Sequence, residues 1–415
     1  MKRFVSWFLG ALCALALLGA PALAQQPLKL GFGMSLTGPL AGNGKAALIA
    51  MEIWREDVNA RGGILGRKVE FTYYDDQTNP STVPSIYNKL LDVDKVDLVV
   101  SGYGTNVIAP AMPVMMQRNM AFMGLFGLNV NSKFNYDRYF QIMPSGPDPA
   151  IGWTQGYFDT AMALNPKPTT IALVGADAEY PALALAGARE QVKKTGLKVV
   201  YDKSYPPNTV DYSPIIRAIQ ATNPDLVYVA SYPPDSAGLI RAANEVGLKT
   251  RMFGGGMVGP QFAALKTQLG PLLNGIVNYE SWAPDVSEKF PSVEPFLQKY
   301  QARAAKEGVD PLGFYLPPFA YAMMEVLEQA IKGVGSLDQA KIADYIHKNE
   351  FNTYVGKVKF GANGEWAQPR MLAVQYKGIS GNDVEQWKKP GHVTVLAPAA
   401  YKTGNVAAPY HENRK

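Results

Sequence analysis

Short apolar runs rich in β-branched residues alternate with helix-length segments along most of this chain, and that alternation constrains the fold more than any other feature. The clearest unit is Val96-Asp-Leu-Val-Val-Ser-Gly-Tyr-Gly-Thr-Asn106. Leu98-Val99-Val100 reads as a parallel strand covered on both faces. Gly102 and Gly104 permit a tight turn, and Thr105 stands at an N-cap position ahead of Val107, Ile108, Met112 and Met115. A hydroxyl beside free backbone N–H groups at a helix start suits an anion, although a simple cap explains Thr105 equally at this point.

The same rhythm is found on either side. Strands are expected at Leu28–Ser35, Val69–Tyr74 and Ala121–Phe126, with helices over about 45–60 and 80–92. The pattern restarts after Pro144-Ser-Gly-Pro-Asp-Pro149. Strands then fall at 170–174, 197–201, 226–230 and 251–254, separated by helices, and further helices are expected at 289–307, 315–332 and 337–348. Late strands are read at 356–360 and 371–376. Strand and helix alternating at this length imply βαβ units and parallel sheets, here two α/β lobes between which the chain passes more than once.

The N-terminus carries Lys2 and Arg3, an apolar run from Val5 to Leu18, and Ala22-Leu23-Ala24. This is the pattern of a secretory signal peptide over 1–24, with a mature chain from Gln25. Cys13 lies inside it behind Leu12, which is too large for a lipoprotein site, so the mature chain has no thiol chemistry. Export lowers the formal charge from +5 to +3, and no arginine-rich or aromatic-interleaved patch points to nucleic acid. Roughly 390 residues suffice for two domains.

Enzyme signatures are missing. The sequence holds no G-x-S-x-G, H-E-x-x-H or G-x-x-x-x-G-K-[ST] motif, and His347, His392 and His411 are scattered. No cofactor or metal site is read.

With Leu36-Thr-Gly-Pro-Leu-Ala-Gly-Asn-Gly44, Val58-Asn-Ala-Arg-Gly-Gly-Ile-Leu-Gly66, Tyr74-Asp-Asp76, Asp211-Tyr-Ser213 and Asn223-Pro-Asp-Leu-Val-Tyr228 in this order and spacing, the chain resembles the periplasmic solute-binding proteins of ABC importers, in the branched-chain amino acid-binding group. The resemblance implies a type I periplasmic binding fold of two Rossmann-like lobes joined by three crossovers. The divisions it implies are 25–146 with 283–356, 147–282 with 357–398, and a tail over 399–415 that docks or stays free. It also implies a monomeric, periplasmic protein that delivers a small carboxylate to membrane permease subunits, and through them to the ATPase.

The resemblance assigns the site residue by residue. Gly104 and Thr105, next to Tyr103, hold the ligand carboxylate. The loop Leu125-Phe126-Gly127-Leu128 faces the same group without a hydroxyl, and Phe126 is either pocket or core. Asn43 is either a pocket residue or a turn residue between Gly42 and Gly44. Tyr180 closes over the ligand, Tyr232 matches another such position or is loop packing, and Tyr315, opening a first-lobe helix, is a further pocket candidate, while Trp282 at a crossover packs. Amino-acid-binding members carry an acid after the strand matching 251–253. This chain has Gly254-Gly-Gly-Met-Val258 there, with Gly256 at or near the acidic position and Met257 beside it. An ammonium buried without a carboxylate is costly, so the expected ligand is an aromatic acid of benzoate or hydroxycinnamate type. Asp177, Glu179 or Asp235 could replace the missing acid. Binding of a branched-chain or other amino acid or amide, and ligand sensing on the same fold, remain the alternatives.

Overall fold

The computed structural model describes residues 26–414. The expected signal peptide, its cleavage site and Cys13 lie outside the described residues.

The first lobe is built on β1 (Leu28–Met34), β2 (Val69–Asp75), β3 (Leu98–Tyr103), β4 (Phe122–Leu125) and β5 (Tyr139–Gln141). They form one parallel sheet in the order β2-β1-β3-β4-β5. All six residues of β3 are buried, as its apolar, β-branched sequence requires. The order reverses between β1 and β3, which opens a crevice beyond their carboxyl ends. The strands touch there: a Cβ at Gly102 would lie 2.5 Å from the Gly33 carbonyl oxygen. β5 is too short to leave a periodic signal and was not legible in the sequence.

The second lobe begins after the Pro144–Pro149 turn, with helix Pro149–Met162. Strands β6 (Thr170–Ala176), β7 (Lys198–Tyr205), β8 (Leu226–Ser231), β9 (Met252–Met257) and β10 (Val277–Glu280) follow. The chain then returns to the first lobe as helices Val293–Glu307, Pro317–Val334 and Gln339–Lys348, of which the first two pack on helix Ala41–Ala60. Trp54 of that helix is fully buried and donates through Nε1 to Glu328 at 3.0 Å.

The hairpin β11 (Glu350–Thr353) and β12 (Gly356–Lys359) stays with these helices. Gln141 of β5 donates through its backbone to Gly364, so the third passage between lobes falls after Trp366, later than the division at 356 read from the sequence. The last strands, β13 (Leu372–Tyr376) and β14 (Val393–Ala397), add antiparallel to the second sheet. That sheet runs β14-β13-β10-β9-β8-β6-β7. The tail docks on the second lobe: Tyr410 is fully buried against Phe253, and its N–H donates to the Arg251 carbonyl.

The segment after Gly104 departs from the expected single helix. It divides into helix Thr105–Ile108, a 3-10 turn at Ala109–Ala111 and helix Met112–Gln117, because Pro110 and Pro113 each remove a backbone donor. At the other end of the site, helix Ala41–Ala60 begins earlier than expected. A Cβ at Gly44 would lie 1.9 Å from the Ser35 carbonyl oxygen, so only glycine lets the first turn seat against the end of β1.

Candidate functional site

Thr105 follows Gly104, whose φ of +102° turns the chain out of β3. Its hydroxyl oxygen caps no N–H of its own helix; it accepts from the Leu128 N–H at 3.0 Å. The cap reading therefore gives way to a tie between the two loops beyond β3 and β4, which leaves the hydroxyl proton free to donate. The first amides of any helix lack intrahelical acceptors. A four-residue helix adds little dipole, so an anion here would be held by individual N–H and O–H groups.

Gln141 on β5 shapes the facing loop, and nothing in its sequence context marks it. Its Oε1 accepts from Phe126 and Met143 N–H at 3.0 and 3.1 Å, and its Nε2 donates to the Gly127 carbonyl and the Tyr139 hydroxyl, both at 2.7 Å. This clamp holds Phe126 at a φ of +61°, a region a bulky residue rarely adopts. The Phe126 ring packs edge-on against Tyr315 and Phe319, with centroids 5.1 and 5.2 Å away. Gly127 sits where a Cβ would lie 2.9 Å from Ile108.

Around this anchor the aromatic side chains of both lobes form a chain of contacts. Tyr103 meets Tyr315 with hydroxyl oxygens 3.2 Å apart. Tyr315 contacts Tyr279 and Phe262, Tyr279 contacts Trp153 at 4.3 Å, Trp153 contacts Tyr180, and Tyr180 contacts Tyr232. Tyr232 closes the circuit by donating to Oδ1 of Asn106, next to Thr105, at 2.9 Å. Tyr103, Tyr180, Tyr232 and Tyr315 of the expected site are thus brought together. Trp153, Tyr279 and Phe262 were missed, because a ring on an apolar helix face or in a strand looks like core until the lobes are assembled. Asn43 lies in the first turn of helix Ala41–Ala60, not in a loop turn. It is buried beside the Tyr103 hydroxyl. Trp282 packs on Phe314, as a crossover residue should.

Burial pushes the phenols of Tyr103, Tyr180, Tyr279 and Tyr315 well above their ordinary range. They stay protonated at any physiological pH.

The glycine run is strand rather than loop. β9 continues through Gly254–Met257, and Asn278 clips Met257 by accepting from its N–H at 3.0 Å and donating to its carbonyl at 2.8 Å. A Cβ at Gly255 would lie 2.5 Å from the Tyr228 ring. One at Gly256 would lie 2.9 Å from the Tyr228 hydroxyl and 3.3 Å from that of Tyr180, which itself donates to the Gly256 carbonyl at 2.7 Å. The place where a side chain at 256 would begin is flanked by two phenol hydroxyls and the Val229 carbonyl, 3.0 Å away.

Two of the three substitute acids are engaged elsewhere, and the third points to solvent. Asp235 accepts from the Tyr205 hydroxyl at 2.6 Å, Glu179 pairs with Lys133 at 2.5 Å, and Asp177 is exposed. Glu280, at the end of β10, is neutralised by Lys266 at 2.6 Å and by the Tyr376 hydroxyl. Tyr103, Thr105, Tyr180 and Tyr315 are each 5 % exposed or less, so the lobes are closed over them. A groove of about 550 Å³, lined by Pro39, Asn43, Pro233 and Phe262, runs along the lobe junction beside Asn43.

Two parallel-sheet α/β lobes, three passages of chain and a cleft at the strand ends define a type I periplasmic binding protein. The chain belongs to the periplasmic binding protein family, whose model residues 27–383 match. It is 24% identical over 357 residues to a Leucine-, isoleucine-, valine-, threonine-, and alanine-binding protein of Pseudomonas aeruginosa, covering 86% of this chain and 91% of that one. A branched-chain amino acid transporter substrate binding protein of Streptococcus pneumoniae in complex with isoleucine superposes with a TM-score of 0.72 at 18% identity, over 90% and 100% of the chains. An ABC transporter solute binding protein of Rhodopseudomonas palustris in complex with p-hydroxybenzoic acid has a TM-score of 0.72 at 19% identity, over 90% and 98%. These relatives are binding proteins, and the family is periplasmic.

Proposed function

We propose that this protein captures an aromatic monocarboxylate in the periplasm by closing its lobes, and delivers it to the permease of an ABC importer. The observation that carries the reading is the circuit of aromatic rings around Thr105, with the nearby carboxylates engaged elsewhere. Thr105, with the adjoining backbone N–H groups, holds the ligand carboxylate. Tyr103, Phe126, Tyr180, Tyr232, Tyr279 and Tyr315 wall the apolar body. Aromatic walls with a few placed polar groups are what such a ligand needs.

The second reading is an aliphatic amino acid, favoured by the ligands named for the Pseudomonas aeruginosa and Streptococcus pneumoniae proteins. A thermal-shift screen of purified mature protein separates the two, since a ligand that binds only the folded state raises its melting temperature. Benzoates, phenylpropionates and hydroxycinnamates are expected to shift it. A shift with leucine, isoleucine or valine and none with the aromatic acids would establish the amino acid reading instead.

A further inference from the structure

We infer that the second-lobe end of this cleft reads a hydrogen-bond-accepting oxygen on the ligand ring, through the Tyr228 hydroxyl and the Trp153 indole N–H. This rests on the aromatic-acid reading above and names the part of the ligand that lies across the cleft from Thr105.

Among the described residues, three buried polar atoms at this end lack a hydrogen bond of good geometry: Nε1 of Trp153 and the Tyr228 hydroxyl, which lie beside each other, and the Tyr279 hydroxyl, which lies beside that of Tyr315. Each belongs to a side chain at least nine-tenths buried. All three can donate, and the indole N–H can do nothing else. Natural interiors leave few such groups unsatisfied, because a buried donor without an acceptor keeps the cost of its lost water. They are not dispersed. Trp153 touches both Tyr180 and Tyr279, and Tyr228 stands 2.9 Å from the Cβ position of Gly256 on the strand that Tyr180 bonds.

The glycine run explains how Tyr228 comes to be there. Tyr228 lies on β8 paired with Gly254 of β9, and its ring occupies the space that a side chain at 255 would need. Its hydroxyl occupies the space that a side chain at 256 would need. The glycines that remove the acid therefore also admit a donor in its place, and the preference of this end is inverted from a cation to an acceptor. An ammonium could be accepted by the phenol oxygens but would leave the Trp153 indole N–H unmet and brings no counter-charge. A quaternary ammonium would suit the ring faces but leave the N–H and O–H groups unmet. A phenol, ether or keto oxygen on the ring satisfies them.

The test is calorimetric titration of the mature protein with size-matched ligands. 3-(4-Hydroxyphenyl)propionate is compared with its 4-methyl analogue, and the 4-methoxy with the 4-ethyl compound, in wild type, Tyr228→Phe and Trp153→Phe. In wild type the oxygen compound of each pair should bind at least about tenfold tighter, the scale of one buried hydrogen bond. Tyr228→Phe should shrink that preference to within about threefold while leaving unsubstituted 3-phenylpropionate nearly unchanged. Tyr228→Phe keeps the ring packing on Tyr157 and Phe158 and removes no hydrogen bond of good geometry, so the variant should fold, and Trp153→Phe reads the neighbouring donor.

Equal binding within both pairs, or a full preference surviving in both variants, would overturn the inference. A preference in the hydroxyl pair alone would show that the pocket reads a ligand donor, and would overturn it too. Tight binding of 3-phenylpropionate with no oxygen preference would leave the aromatic-acid reading standing, whereas no binding of any aromatic acid removes both.

Discussion

The Tyr232 hydroxyl, at the start of a second-lobe helix, donates to Oδ1 of Asn106 on the first lobe, one residue from Thr105, at 2.9 Å. A bond that exists only when the lobes meet stabilises the closed state alone. Ligand should therefore convert an open ensemble to this closed one by hinge motion, read as a fall in radius of gyration by small-angle scattering. Tyr232→Phe should weaken ligand binding by about 0.5–1.5 kcal/mol without lowering the melting temperature of ligand-free protein. The second link, Lys133 to Glu179, is partly exposed. Lys133→Ala should cost at most about 1 kcal/mol, and less at high salt.

Thr105→Ala should weaken carboxylate binding by about 1–3 kcal/mol, the range for a hydrogen bond to a charged group. Because Thr105 also accepts from the buried Leu128 N–H, the variant should lose stability without ligand. Thr105→Ser restores both hydrogen bonds and should recover most of each effect. Calorimetry and thermal melts on the three proteins check this; wild-type affinity in Thr105→Ala would remove Thr105 from the site.

Phenylalanine and 3-phenylpropionate differ only by the ammonium group. With Asp235, Glu179 and Glu280 already partnered, desolvating that group should cost several kcal/mol, at least about a hundredfold in affinity. Titration of both ligands decides it, and tighter binding of phenylalanine would contradict the role given to Gly256.

Burial raises the Asp235 carboxyl to about 6 and that of Glu325 to about 7, and shifts Glu280 and Glu365 in the same direction. A carboxyl that binds its proton more tightly folded than unfolded adds stability below its folded pKa and loses it as pH rises through that value. Ligand-free protein should therefore melt at a lower temperature at pH 7 than at pH 5, and Asp235→Asn should flatten the slope. Asp75 and Asp225, held below the usual range by hydrogen bonds that outweigh partial burial, act oppositely and reduce stability at still lower pH. A melting temperature that rises steadily from pH 5 to 7 would count against these assignments.

Lys266 and Glu280 form an ion pair 2.6 Å long with each side chain 2 % exposed. Lys266→Met leaves Glu280 buried without its cation and should cost about 3–5 kcal/mol, while adding Glu280→Gln should restore much of that loss. Urea unfolding of the single and double variants gives the coupling.

The sequence alone determined the α/β class and the strand-glycine-helix unit at 96–106, because hydrophobic periodicity and glycine turns are local properties. It also marked Thr105 and the missing acid at 256, since short motifs in a fixed order survive as text. Only tertiary structure decided that Thr105 ties two loops instead of capping a helix, since its partner Leu128 comes from the next βα unit. Only tertiary structure decided that Gly254–Met257 is strand, made possible by the clip from Asn278 and by the ring of Tyr228. Gln141, Trp153 and Tyr279 stayed hidden for the same reason: a side chain that serves a cleft between lobes is chosen by residues far away in the chain, and no local pattern records which ones they meet.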